Sequence, residues 1–548
     1  MDFSKHFATR LRRLRTPQSA PIPGSTQVAN SAGGYAWPVD QWTRLDRFLV
    51  LGSEGGTFYI GERALTQENA QSVVACVAED GRRVVARIVE VSVAGRAPKN
   101  DPALFALAIA AGLGDADTKT AVWAALPKVA RTGTHLFHWL QYMQAFRGWG
   151  RGARTAVARW YTDKSVEDVA HQVLKYPSRD GWAHRDVLRL AHPKATSAGH
   201  DLVFRYATKG WEGILTLQGV DGMDLVRRIE AVEALKYQAP GLAALTIAQH
   251  GLTREMVPTE LLVHAVVWEA LLERMPLTAM IRNLGVMSKV GLLSPMSRAA
   301  AMVTDRLGRR DVLRAARVHP TAILAALKAY GQGQGMRGTG KWAPVAQVVD
   351  ALDAAFYLAF ENASSTGKRV MLALDVSGSM SAGVGGMPFL SCREASAAMA
   401  LVTAAREPQH MFTAFTNGGY PSRWGNMSSG LSVLSLSPRQ RLDDVVKRIS
   451  DLPFGGTDCA LPMLEALKHG WQVDLFVIYT DNETWAGQVH PAQALRQYRE
   501  RTGIPARLVV VGMASNGFSI ADPNDAGMLD VVGFDAAVPQ VIADYGAG

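Results

Sequence analysis

The sequence predicts a multidomain chain: an all-α region of stacked helical pairs over 41–367, preceded by a mobile basic arm (1–40) and followed by a doubly wound α/β domain (368–548). Three observations carry this reading. Between 41 and about 365 apolar residues recur at i, i+3, i+4 and i+7, with no alternating strand pattern between them. Beyond Lys368, β-branched runs alternate with amphipathic helical runs, the pattern of a sheet with helices on both faces. The first of those runs ends on Asp-x-Ser-x-Ser, a set of oxygen donors at the carboxyl end of a strand.

Residues 1–40 combine a basic cluster (Arg10, Arg12, Arg13, Arg15) with a Pro/Ser/Gly/Asn-rich stretch, a composition expected to bury no core. The N-terminal residues lack the apolar run and cleavage pattern of a secretion signal. Helices are predicted over Glu68–Ala78, Ala103–Ala111, Thr118–Leu126, Thr134–Phe146, Val166–Leu174, Gly222–Leu235, Thr259–Leu272 and Thr321–Tyr330. Connectors carrying Pro, Gly or Asp separate them, and helices of this number and length suggest a HEAT-like solenoid. The glycine-rich stretch Tyr330–Lys341 lacks the Gly-Lys-Ser/Thr ending and preceding strand of a phosphate-binding loop, so it reads as a basic connector. In the last domain, strands are predicted over Arg369–Leu374, Met411–Phe415, Leu475–Tyr479 and Arg507–Val511. The helices between them are predicted over Cys392–Arg406, Pro438–Ser450, Cys459–His469 and Pro491–Thr502.

The chemistry of the last domain is concentrated in two places. Asp375, Ser377 and Ser379 follow the strand Arg369–Leu374, with Gly378 turning the backbone between the serines. Downstream, Thr457 lies in a glycine-rich loop and Asp481 follows the strand Leu475–Tyr479. Ligands of doubly wound sheets gather outside the carboxyl ends of the strands, so the five residues should converge. Carboxylate and hydroxyl oxygens suit a hard divalent cation such as Mg²⁺. The set resembles the metal-ion-dependent adhesion site of von Willebrand factor A domains.

Hydrophobic residues make up 48% of the 548, enough for more than one core, and no run approaches the length of a membrane span. Cys76, Cys392 and Cys459 are far apart, which argues against a disulfide scaffold or zinc site and fits a reducing cytoplasm. Charge is asymmetric: residues 1–367 hold 44 Lys/Arg against 32 Asp/Glu and 368–548 hold 14 against 17, so the front is the candidate for a polyanion. The basic excess is densest over 128–209, where Arg147, Arg151, Arg154, Arg159, Lys175, Arg179, Arg185, Arg189 and Lys194 are interleaved with Trp160, Tyr161, Tyr176, Trp182 and His184. Basic side chains neutralise phosphates while aromatics stack on unpaired bases, a combination suited to RNA. Trp160, Tyr161 and Trp182 lie on amphipathic segments and are expected in the core rather than as base platforms.

Several long strings together resemble the Ro autoantigen family (a TROVE module joined to a von Willebrand A domain) in its bacterial form. They include Gly52–Tyr59, Gly95–Phe105, Arg131–Phe137, Gly181–His192, Met275–Gly285, Gly455–Cys459, Thr480–Gly487 and Ser515–Pro523. The resemblance implies a ring of helical repeats that the A domain closes within one chain, hence a monomer. It implies small noncoding Y RNAs bound on the outer face and single-stranded 3′ ends of misfolded RNAs in the central hole. A Y RNA tether to the exonuclease polynucleotide phosphorylase is implied as well, which makes noncoding-RNA quality control and decay the expected role. His184 matches a family position implicated in RNA contact, with Lys175, Arg179 and Arg185 around it, and Arg131, Thr134 and His135 match a motif assigned to the hole. No motif in the chain argues for catalysis. The competing reading, a module gripping a partner's carboxylate through the cation, accounts for the last domain but not for the basic solenoid.

Overall fold

A computed structural model of the chain describes residues 15–51, 70–97, 99–215, 224–316, 318, 320–334, 340–359, 365–384, 387–417, 430–438, 440–452, 455–513, 517–532 and 538–547. Arg10, Arg12 and Arg13, the Gly52–Tyr59 string, residues 335–339 of the glycine-rich connector and residues 515–516 lie outside the described residues.

The segment 15–40 departs from its expectation as a mobile arm that buries nothing. It forms two short strands, β1 (Val28–Ala29) and β2 (Tyr35–Pro38), and Gln18, Asn30, Ala36 and Trp37 are buried. The composition is poor in apolar residues, so this segment could not form a core of its own. It is held by polar contacts to residues more than 400 positions away.

The helical region runs from Gln41–Leu51 to Ala346–Leu358. Predicted helices recur with ends shifted by a few residues, for example Asp101–Leu113, Ala116–Val129, Gly133–Phe146 and Val166–Lys175. Their starts are set by side-chain caps: Asp115, Thr132, Ser165 and Ser197 each accept the backbone N–H three residues on. The predicted helix Thr259–Leu272 is shorter, Ala265–Arg274, because His264 adopts extended backbone after a single turn at Leu261–Val263. Helix Gln71–Ala94 bends at Asp80, and a Cβ on Gly81 would lie 2.2 Å from Thr118 Oγ1, so only glycine permits that crossing. A small hairpin, β3 (Ser178–Arg179) and β4 (Trp182–Ala183), precedes helix His184–Ala191. Trp139, Trp160 and Tyr161 fill the core of this half, in line with the core reading of Trp160 and Tyr161.

The last domain holds β5 (Val370–Asp375), the hairpin β6 (Gly383–Val384) and β7 (Met387–Ser391), β8 (His410–Phe415) and β9 (Leu431–Leu434). It continues through β10 (Leu475–Thr480), β11 (Arg507–Gly512), β12 (Phe518–Ser519) and β13 (Met528–Val532). The main sheet has the order β13-β11-β10-β5-β8-β9, parallel except for the edge strand β9. The chain winds outward in both directions from β5, so the topological switch point falls between β5 and β10. Strand periodicity divides the core between the two faces of the sheet. Val370, Leu372 and Leu374 pack with the second half of the helical region, and Met371 and Ala373 with Trp37 and helix Pro491–Thr502.

Both ends of the helical path are fastened to this domain. At its start β2 pairs with β12, while Arg47 donates to the Phe518 carbonyl (3.0 Å) and pairs with Asp530 (2.6 Å). At its end Lys328 bonds Glu394 (2.6 Å) and Asp353 accepts the Leu442 N–H (3.2 Å). No described helix is long and apolar enough to cross a membrane.

A candidate cation centre and a basic junction

The five predicted oxygen donors lie at one end of the main sheet. Asp375 closes β5 and Thr480 closes the adjacent parallel strand β10, and the Thr480 hydroxyl donates to Asp375 Oδ2 at 2.7 Å. The Ser377 N–H donates to Asp375 Oδ1 at 2.9 Å, and the Ser377 and Ser379 hydroxyls are 3.1 Å apart. Ser379 in turn hydrogen-bonds Asp481. Thr457 is joined through its backbone: its carbonyl accepts the N–H groups of Trp485 (3.1 Å) and Ala486 (3.0 Å), on the loop that carries Asp481. Asn482 holds φ at 64°, a left-handed conformation that Asn tolerates better than most residues, and its Oδ1 accepts the Ile520 N–H.

Electrostatically the site is strained toward a cation. Burial pushes the Asp375 carboxyl up to about 7, with the neighbouring Asp481 charge adding to the effect. Burial raises Asp481 too, and Glu483, two residues on, is pushed up to about 7 by burial and then by Asp481. Arg393 is the basic side chain beneath the loop, with its guanidinium donating to the carbonyls of Val376 (2.7 Å) and Ser377 (3.2 Å). Among the described residues no group of three or more His, Cys, Asp or Glu is placed to hold a metal, so any ion here depends on the hydroxyls. Two buried like charges beside three hydroxyls are a donor set that fits a hard divalent ion, and Asp375, Ser377, Ser379, Thr457 and Asp481 would hold it.

The predicted RNA-contact residues meet around Gly133. A Cβ added there would lie 3.0 Å from both His184 Nε2 and Tyr176 Cβ, which brings the start of helix Gly133–Phe146, the end of Val166–Lys175 and the start of His184–Ala191 to one junction. Arg131, Thr134, His135, Lys175 and Arg185 each lie within two residues of Gly133, Tyr176 or His184 in sequence. Arg131 and Arg185 are exposed, and Thr134, His135 and Lys175 are half-buried. Arg131 donates to Ser92 Oγ at 2.9 Å, and Lys175 lies 5.3 Å from the Tyr176 ring. Arg179 is on the exposed strand β3 of the hairpin, which packs on the same helix and is fastened to it by a contact between the Asp180 carboxylate and the His138 ring. The His135 Nδ1 is buried without a protein hydrogen-bond partner, and burial followed by the Arg131 charge depresses its imidazole to about 4.

His184 is a correction. Its ring is buried, 2% exposed, which removes it from direct contact with any ligand in this conformation. Nε2 faces the Gln172 carbonyl (3.2 Å), which can only accept, so Nε2 carries the proton and Nδ1 accepts from the Tyr161 hydroxyl (2.7 Å). Desolvation depresses it to about 4. A folded value below the unfolded one near 6.5 means the unfolded chain takes up the proton first. Stability from this ring is therefore present above about pH 6.5 and lost as pH falls toward 4, at up to about 1.4 kcal/mol per pH unit. Urea unfolding midpoints across that window should fall more steeply for the wild type than for His184→Gln, and equal slopes would contradict the assignment.

Sequence reasoning missed Thr480, Arg393, Glu483 and Gln18. Thr480 was signalled by its place one residue before Asp481. Gln18 carried no local signal, because its partners Asp458 and Val489 lie 440 and 471 residues away.

Comparison with known proteins places these sites in context. Residues 28–214 and 247–332 match the family model described as the TROVE domain, and 369–546 match the Ro60 vWA domain. The chain is similar to the RNA-binding protein RO60 of Deinococcus radiodurans, with 41% identity over 99% of both chains. It is 36% identical to RNA-binding protein RO60 of Caenorhabditis elegans, over 97% of this chain and 92% of that one. The crystal structure of the Deinococcus radiodurans RO (RSR) protein matches with a TM-score of 0.70, over 93% of this chain and 100% of the other.

Proposed function

Since this chain belongs to the Ro60 family, with a TROVE module followed by a Ro60-type von Willebrand A domain, we propose that it is an RNA-binding protein of noncoding-RNA quality control. It takes small noncoding Y RNAs on the basic junction and single-stranded 3′ ends of misfolded RNAs along the helical path, acts in the cytoplasm as a monomer, and hands RNA to a tethered exonuclease such as polynucleotide phosphorylase. The observation that carries the reading is the junction at Gly133, where the helix ends carrying the neighbouring basic residues Arg131, Lys175 and Arg185 come together. Guanidinium and ammonium groups there neutralise phosphates.

The A domain, in this proposal, holds Mg²⁺ or another divalent cation on Asp375, Ser377, Ser379, Thr457 and Asp481. The ion supplies a positive centre for a ligand oxygen. The protein itself performs no chemistry on the RNA: labelled RNA should stay intact with the purified protein and Mg²⁺, and cleavage that copurifies with the protein through successive columns would refute this.

Binding is tested by gel-shift titration of a hairpin RNA with a single-stranded 3′ tail against a blunt duplex, over a salt series. Lys175→Ala/Arg185→Ala should weaken binding about tenfold and reduce the salt slope by about 1–2. Affinity indifferent to salt, tail and variant would remove the junction from the RNA surface.

A further inference from the structure

We propose that Gln18 is a positioning residue of the cation centre and that the segment Thr16–Pro38 is a clasp whose grip on the A domain tightens when the cation binds. The inference deepens the cation reading above and rests on it.

The Gln18 side chain is fully buried, and its amide is saturated by partners on the A domain. Nε2 donates to Asp458 Oδ1 (2.7 Å) and the Val489 carbonyl (2.8 Å), while Oε1 accepts from Thr484 Oγ1 (2.6 Å) and the Gly487 N–H (3.2 Å). Asp458 follows the ligand Thr457, and Thr484 stands three residues past the ligand Asp481. One amide thus ties together the two loops that bring ligands from outside β5. Thr484 Oγ1 also accepts the Cys459 N–H (3.1 Å), so the same hydroxyl closes the loops on each other.

The rest of the clasp grips the same loop. Asn30 Nδ2 donates to the Thr484 carbonyl (2.7 Å), and the Ala32 N–H donates to Glu483 Oε2 (3.1 Å), two residues beyond Asp481. A Cβ on Gly34 would lie 1.9 Å from the Thr484 carbonyl oxygen, so the two backbones touch and no side chain fits between them. His490 Nε2 faces the Ala20 carbonyl at 2.8 Å, and Thr16 and Gln493 exchange hydrogen bonds of 2.9 and 3.1 Å. From Pro38 the chain enters helix Gln41–Leu51, the first of the helical path.

Were a cation held by Asp375, Thr457 and Asp481, both loops would be fixed in the arrangement that Gln18 binds. Linkage makes the effect reciprocal: the factor by which the clasp raises cation affinity is the factor by which the cation stabilises the docked clasp. The seam at the start of the helical path is then held more firmly with the ion than without it. Gln18 touches no ligand oxygen and acts only through Asp458 and Thr484.

The test uses the full chain stripped with EDTA. Mg²⁺ is titrated calorimetrically into wild type, Gln18→Ala and Asn30→Ala, and amide hydrogen exchange over 16–38 is followed in the wild type with and without Mg²⁺. The expected result is a Mg²⁺ affinity about tenfold weaker in Gln18→Ala, and exchange over 16–38 about tenfold slower in the loaded wild type. If Gln18→Ala does not fold, Asn30→Ala and the wild-type exchange decide. Wild type that binds Mg²⁺, with unchanged affinity in the variants and unchanged exchange over 16–38, overturns the clasp and leaves the cation reading standing. Wild type that takes up no Mg²⁺ overturns both.

Discussion

Arg47→Met should lower stability by about 3–5 kcal/mol, the largest loss expected from any single substitution considered for this chain. The Arg47 side chain is 1% exposed, and its partner Asp530 is 15% exposed. Removing the guanidinium therefore leaves a mostly buried carboxylate without its countercharge and with the Ser519 hydroxyl as a neutral donor. The Phe518 carbonyl loses a donor at the same time. The damage is to the partner left behind, so Asp530→Asn introduced into the Arg47→Met background should recover part of the loss. Urea unfolding of the two single variants and the double variant measures this. A single-variant cost under about 1 kcal/mol would mean that water reaches Asp530 and that the start of the helical path is held by the contacts of residues 16–38 without need of this pair.

If the proposed centre takes Mg²⁺, Asp375→Asn should abolish the stabilisation that the ion would confer. A cation bound there at one hundred times its dissociation constant would add about 2.7 kcal/mol to the wild type, and the variant should gain none of it. Without the ion the sign reverses. Asp375 and Asp481 are buried like charges, and replacing one carboxylate with an amide relieves their repulsion, so the EDTA-treated variant should unfold no earlier than the EDTA-treated wild type. Thermal melts of both proteins in EDTA and in Mg²⁺ give the four values needed. Equal Mg²⁺ shifts in the two proteins would place the ion elsewhere.

Four of the six main-sheet strands after Lys368 and the helices between them were legible, because β-branched runs and amphipathic runs have different periods. The short edge strands β9 and β13 were not. Cys392–Arg406 and Pro491–Thr502 begin and end where the pattern places them. The donor residues were legible for a related reason. Each follows a strand or lies in a glycine-rich loop, and strand ends on one side of a parallel sheet must face the same crevice. What pattern could not resolve was direction. His184 sits in a basic, aromatic string, yet at the first turn of its helix the ring points inward against Tyr161 and Phe137. The exposed charge of that turn belongs to its neighbour Arg185, 56% exposed. The segment 15–40 was illegible for a different reason. Its composition reports correctly that it cannot build a core, but a strand edge and a few amides suffice to dock it on a core supplied by distant sequence.

That docking has a consequence for synthesis. Gln18 leaves the ribosome 440 residues ahead of Asp458, and Arg47 483 residues ahead of Asp530. At about 5–20 residues per second, Gln18 waits roughly 20–90 s for a partner 440 positions behind it. The nascent helical region therefore has its end unfastened until Glu394 emerges, and its start unfastened until Asp458 and Asp530 do. A premature stop anywhere before Asp458 leaves the start in that state for good, with the buried-to-be Gln18, Trp37 and Arg47 presented to solvent and to chaperones.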